Sequence, residues 1–197
     1  MSRWCVPLPT LALVTGPPGS GKTTLAHTLA AAVGCPAICR DEIKEGMVHA
    51  APAYHPGLNH EFNVHTLAVF FNVLRQLLAA GVTLVAEAAF QDKLWRPNLQ
   101  PLLHLAQLRV IQCVVDADLA QARATRRLAD NPHRAAHDDR TNLTPDGTAA
   151  RYSPGTFGWM TLPAPTLRVD TTTGYTPPLL DIVAFINAPH QAAGPVA

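Results

Sequence analysis

The chain has 197 residues, 15% of them charged, and a formal net charge of +1. That length suits one domain with a sizeable core, and the near-neutral charge excludes a general polyanion binder. Residues 1–10 hold one Arg, two Pro and no continuous apolar run, and no later stretch is apolar enough to span a membrane, so neither a signal peptide nor an anchor is expected and a cytoplasmic protein is.

Leu11 to Val14 is a short apolar run that reads as a buried strand, and Leu25 to Val33 is rich in Ala and Leu and reads as a helix. Between them lies Gly16-x4-Gly21-Lys22-Thr23, the G-x-x-x-x-G-K-[ST] phosphate-binding loop in its strand–turn–helix setting. Glycines at 16, 19 and 21 let successive N–H groups turn toward a polyphosphate, and the helix N-terminus adds partial positive charge. The expected nucleotide contacts are Gly16, Pro17, Pro18, Gly19, Ser20, Gly21, Lys22, Thr23 and Thr24. Within them Lys22 reaches the β- and γ-phosphates and the Thr23 hydroxyl binds Mg²⁺.

Gly34 ends the first helix, and Ala37 to Cys39 is a second strand. Arg40-Asp41-Glu42-Ile43-Lys44 follows that strand and opens a helix. A loop with Pro52, Pro56 and Gly57 precedes a long helix over about 61–80, stopped by Gly81. A third strand over 82–86 runs into Glu87. Pro97 suits the first turn of a helix to about Ala106, a fourth strand spans 108–115, and Asp118 is placed to cap the helix after it. Residues 130–151 are polar and irregular, 153–165 are rich in Pro and Gly, a fifth strand covers 166–169, and a last helix covers 178–187. Alternating strands and helices predict a parallel sheet with helices on both faces, and in such sheets ligands lie beyond the strand C-terminal ends.

That rule selects the remaining candidates. Asp41, just past the second strand, either accepts a proton from an acceptor hydroxyl or caps the following helix. Lys44, one turn on, faces the same pocket or solvent. Glu87 ends an apolar strand and either orders Mg²⁺ through water or binds the acceptor hydroxyl, or else pairs with a nearby Arg. Arg123 and Arg127 share a helix face, and Arg134, His137 and Arg140 follow. Together they suggest a lid over about 123–151 that neutralises phosphate charge. Phe62, Phe70, Phe71 and Trp95 read as core more than as acceptor pocket, and Phe157 and Trp159 lie in the Pro/Gly segment, where a nucleobase contact stays open. The four cysteines, Cys5, Cys35, Cys39 and Cys113, lack zinc-site spacing and read as reduced core thiols, and His55, His60, Glu61 and His65 make no recognised ligand pattern.

Taken in order, the 16–23 loop, the 40–44 stretch, the 82–87 strand, Arg123-x3-Arg127 and Val169-Asp170-Thr171 resemble the small P-loop kinases that include polynucleotide 5′-hydroxyl kinases, zeta toxins and chloramphenicol phosphotransferase. The resemblance covers nearly the whole chain and implies one domain, 1–197, with an adenylate-kinase-like P-loop NTPase fold on a five-stranded parallel sheet. It implies Asp41 as general base, Arg123 and Arg127 as lid arginines, and Thr171 near the adenine. Two positions depart from the group: Lys44 stands where some polynucleotide kinases have Arg, and Glu87 where the third strand often ends in Asp. The expected activity is ATP- and Mg²⁺-dependent phosphoryl transfer to a hydroxyl of a small molecule. A nucleic-acid end kinase is less favoured, since no basic groove with interleaved aromatics is visible. The reading from another class is a nucleotide-dependent switch that hydrolyses ATP without an acceptor.

Overall fold

The computed structural model describes residues 7–55, 58–90, 92–130 and 162–189, with backbone alone at 92–94 and 128–130. Most of the expected lid, with Arg134, His137 and Arg140, lies outside the described residues, as do Cys5, Phe157 and Trp159.

Five strands form one parallel sheet: β1 (Thr10–Thr15), β2 (Ala37–Cys39), β3 (Leu84–Glu87), β4 (Gln107–Val114) and β5 (Thr166–Asp170), in the order β2-β3-β1-β4-β5. The helices are α1 (Lys22–Val33), α2 (Arg40–His49), α3 (Asn59–Ala79), α4 (Asp92–Leu99), α5 (Ala117–Asp130) and α6 (Leu179–Asn187). Side chains alternate across a strand. Leu11 and Leu13 of β1 therefore join a core with Phe70, Phe71 and Leu74 of α3 and Trp95 and Leu99 of α4. Ala12 and Val14 face the other way, into a core with Leu25 and Leu29 of α1 and Ile182 and Ile186 of α6. Both faces of β1 are dry, which is why the strand is continuously apolar. Phe70, Phe71, Phe90 and Trp95 pack edge to face inside the first core, as expected of core aromatics; Phe62 is half-buried and meets Tyr54 edge-on.

Three details differ from the sequence reading. β3 starts at Leu84, because the Gly81 and Val82 amides still close α3 on the Leu78 and Leu77 carbonyls. Pro97 lies inside α4, which begins at Asp92; the helix ends two residues later and tightens into a 3-10 turn at Gln100–Leu102. The cap of α5 is Asp116, whose Oδ1 accepts from the Leu119 amide at 3.0 Å, whereas Asp118 sits in the helix's first turn.

Candidate active site

The strand register aligns the chemistry. Glu87 stands opposite Val14 on one side and Cys39 on the other. β1 thus hands over to the phosphate loop, β2 to Arg40 and Asp41, and β3 to Glu87, all at one edge of the sheet.

The loop's fold depends on its glycines. Gly19 has φ +76°, and a Cβ there would lie 2.1 Å from the Ala120 carbonyl oxygen, so the loop passes against α5 at a distance only Gly allows. A Cβ on Gly16 would meet the Cys113 carbonyl at 2.7 Å. Within the loop the Ser20 amide donates to the Pro17 carbonyl at 3.2 Å. α1 follows with no side-chain cap, so its first-turn amides keep the anion-binding character of a bare helix N-terminus. Ser20 Oγ is buried and has no hydrogen-bond partner among the described residues.

Lys22, the first residue of α1, is 7% exposed, and its Nζ lies 3.8 Å from Glu87 Oε1. Glu87 is buried at 2% exposure, and its other oxygen, Oε2, has no partner among the described residues. Burial raises the Glu87 carboxyl above the ordinary carboxylate value; Lys22 opposes that rise, the Asp41 charge adds to it, and a hydrogen bond with Thr23 opposes it. The carboxylate therefore stands among Lys22, Asp41 and Thr23 at once. Orphaned oxygens on Ser20 and Glu87, beside a lysine and a threonine hydroxyl, fit a phosphate group and a hard cation.

On the β2 side, Asp41 lies within the first turn of α2, whose N-cap is Cys39, so Asp41 does not cap the helix. Its Oδ1 accepts from Arg40 Nη1 at 3.0 Å. Arg40 Nη2 also donates to Asn63 Oδ1 on α3 at 2.8 Å. Lys44 is not a solvated lysine: it is 1% exposed and donates to the Asn59 side chain at the start of α3. Asn59 and Asn63 went unnoticed in the sequence, since Asn carries no local signal and these bonds span 15 and 23 residues.

On the β5 side, Thr171 is buried, its hydroxyl 2.7 Å from the Ser20 carbonyl and 3.0 Å from the Val114 carbonyl. Its side chain thus supports the phosphate loop from behind. Arg123 donates from Nη1 to the Thr171 carbonyl at 3.1 Å and from Nη2 to the Thr172 carbonyl at 3.0 Å. Arg127, one turn on, is half-buried.

Comparison with known proteins agrees with this architecture. A protein from Chloroflexus aurantiacus j-10-fl, described as a candidate kinase, is 27% identical, with a TM-score of 0.81 over 93% of this chain and 100% of that one. A sugar kinase from Janibacter sp. HTCC2649 is 13% identical, with a TM-score of 0.60 over 92% and 95% of the two chains. A shikimate kinase from Acinetobacter baumannii, solved with shikimate, is 20% identical, with a TM-score of 0.52 over 90% of each. The last two share the fold, a kinase-like P-loop NTPase. No curated protein matches the chain. No helix among the described residues is long and apolar enough to cross a membrane. A family model described as an AAA domain matches residues 11–144, more than half of the sequence, and the chain belongs to that family, AAA_33.

Proposed function

We propose that the chain is an ATP-dependent kinase that transfers the γ-phosphate to a hydroxyl of a small molecule. One observation carries the reading: Lys22, Asp41 and the buried Glu87 converge at the ends of β1, β2 and β3, with oxygens on Ser20 and Glu87 that have no partner among the described residues. The same fold in a sugar kinase and a shikimate kinase supports a small hydroxylated acceptor.

In this reading Lys22 sits against the β- and γ-phosphates. Thr23 and Glu87 would hold Mg²⁺, which when bound would neutralise phosphate charge. Asp41 accepts the acceptor's hydroxyl proton as the new O–P bond forms and the bond between the γ-phosphorus and the β–γ bridging oxygen breaks, leaving ADP. Lys44 and Asn59 form the acceptor-side wall. Arg127 faces the developing phosphate charge, while Arg123 holds the carbonyls that support the nucleotide loop.

The test is labelled ATP offered with panels of hydroxylated metabolites and with a 5′-hydroxyl oligonucleotide. Label is expected on a small molecule. Asp41→Asn should keep ATP affinity and, because the Arg40 pair is 17% and 41% exposed, nearly all of its melting temperature. Transfer should fall by about 10²–10⁴-fold. ATP turnover unaffected by Asp41→Asn, with no labelled acceptor, would leave the switch reading in its place.

A further inference from the structure

His27 of α1, Cys39 at the end of β2 and Glu42 in the first turn of α2 bring an imidazole, a thiol and a carboxylate together, their donor atoms all within 4.8 Å of one another. His27 Nε2 lies 2.6 Å from Glu42 Oε1 and 3.7 Å from Cys39 Sγ. We propose that these three side chains form a site for Zn²⁺ or a similarly thiophilic divalent ion, made of other donors than the Mg²⁺ position at the phosphate loop, although Cys39 stands opposite Glu87 across the β2–β3 pair.

The separations fit tetrahedral coordination with little movement. Bonds of about 2.3 Å to sulfur and about 2.0–2.1 Å to nitrogen give an N···S edge of about 3.6 Å, close to the 3.7 Å present between His27 and Cys39. The N···O edge is about 3.4 Å, so Glu42 must withdraw by roughly 0.8 Å from its 2.6 Å contact with His27. It is free to do so, because the His27 and Glu42 side chains are 50% and 48% exposed. That exposure also leaves the fourth position open to water, while Cys39 anchors the site from the protein side at 2% exposure.

Cys39 would bind as the thiolate, its proton passing to solvent as the metal enters. Sulfur and imidazole ligands select Zn²⁺ over Mg²⁺, which prefers oxygen alone. Ligands drawn from two helices and a strand carry no spacing signature, and for that reason the cysteine pattern gives no sign of them.

The test needs no catalytic activity and so stands or falls apart from the kinase reading. Zn²⁺ is titrated calorimetrically into the full-length, nucleotide-free protein with Mg²⁺ in excess, and Co²⁺ is added in parallel to follow thiolate-to-cobalt charge-transfer absorption. One site is expected, with the charge-transfer band, undisturbed by Mg²⁺. Cys39→Ser should abolish the band. His27→Gln, at an exposed position that leaves folding intact, should weaken Zn²⁺ by at least about tenfold, the lower end of what peripheral metal-site changes cost. Absence of the band, its survival in folded Cys39→Ser, or unchanged Zn²⁺ affinity in His27→Gln would each overturn the assignment.

Discussion

The two sides of the sheet's C-terminal edge are built on different principles. Toward β4 and β5 most of the polar groups at the loop bond one another: Arg123 grips two carbonyls, Thr171 supports Ser20, and Gly19 packs against Ala120, although the buried Gln112 Oε1 of β4 has no partner among the described residues. Toward β3 and β2 charge is concentrated: Glu87 is buried with one oxygen unpartnered among the described residues, Lys22 reaches it only at 3.8 Å, and Asp41 stands close enough to disturb it. Paired polar groups fix a geometry, and buried polar atoms left without partners are what a bound ligand would satisfy. The phosphate loop lies between the two, braced from one side and, in the proposed reading, facing the reaction on the other.

The sharpest way to break that contrast is Lys22→Ala. On the reactive side the change should cut phosphoryl transfer by roughly 10³-fold or more, the scale on which phosphate-binding cations act. It should also lower the melting temperature, because Glu87 then stays buried without its cation. Adding Glu87→Gln should recover much of the melting temperature and none of the transfer. Calorimetry and a transfer assay on the two variants separate these effects; a Lys22→Ala protein with wild-type turnover would mean that the loop binds no phosphate.

The contrast also marks how much was legible in the sequence. The phosphate loop and the sheet's parallel strands follow from local signals: glycine spacing, short apolar runs and the Lys-Thr pair open to one reading. Glu87 and Asp41 stand out as candidates because a strand end has a known relation to ligands in such folds. What was missed is non-local. Lys44 reads as facing either the pocket or solvent until α3 brings Asn59 to it, and nothing local to Arg123 shows that β5 brings the Thr171 and Thr172 carbonyls within its reach. Asp116 took the cap from Asp118 because the hydrogen bond requires the oxygen three residues before the Leu119 amide. Pro97 misplaced a helix start, since α4 is short enough to accommodate a proline near its end.

A middle-sized effect tests the braced side. Arg123→Ala removes two charge-assisted hydrogen bonds to backbone, worth roughly 1.5–3 kcal/mol each where buried and less here, since Arg123 is half-buried. If Arg123 holds the 171–172 loop, KM for ATP should rise several-fold while kcat stays within about threefold, the pattern of lost uniform binding. A fall in kcat near 10³-fold with KM unchanged would instead put the guanidinium on the transferring phosphate. Steady-state kinetics with varied ATP decides between the two.

The smallest effect is a slope, and it reports on the charged side directly. Glu87 is raised above its ordinary value near 4.5, with burial the largest cause. Between that value and its folded pKa, the folded chain binds more protons at this position than the unfolded chain does. Its contribution to stability is therefore fully present below the unfolded value and is lost as pH rises through the folded one. Glu87→Gln carries no such charge, so its stability relative to wild type should improve with rising pH across that window. The change is bounded by about 1.4 kcal/mol per pH unit for a single proton. Denaturant titrations of both proteins, free of nucleotide and Mg²⁺, measure it. Parallel stability curves would mean that Lys22 fully offsets the burial of Glu87, and the cluster would then be as settled as the braced side opposite it.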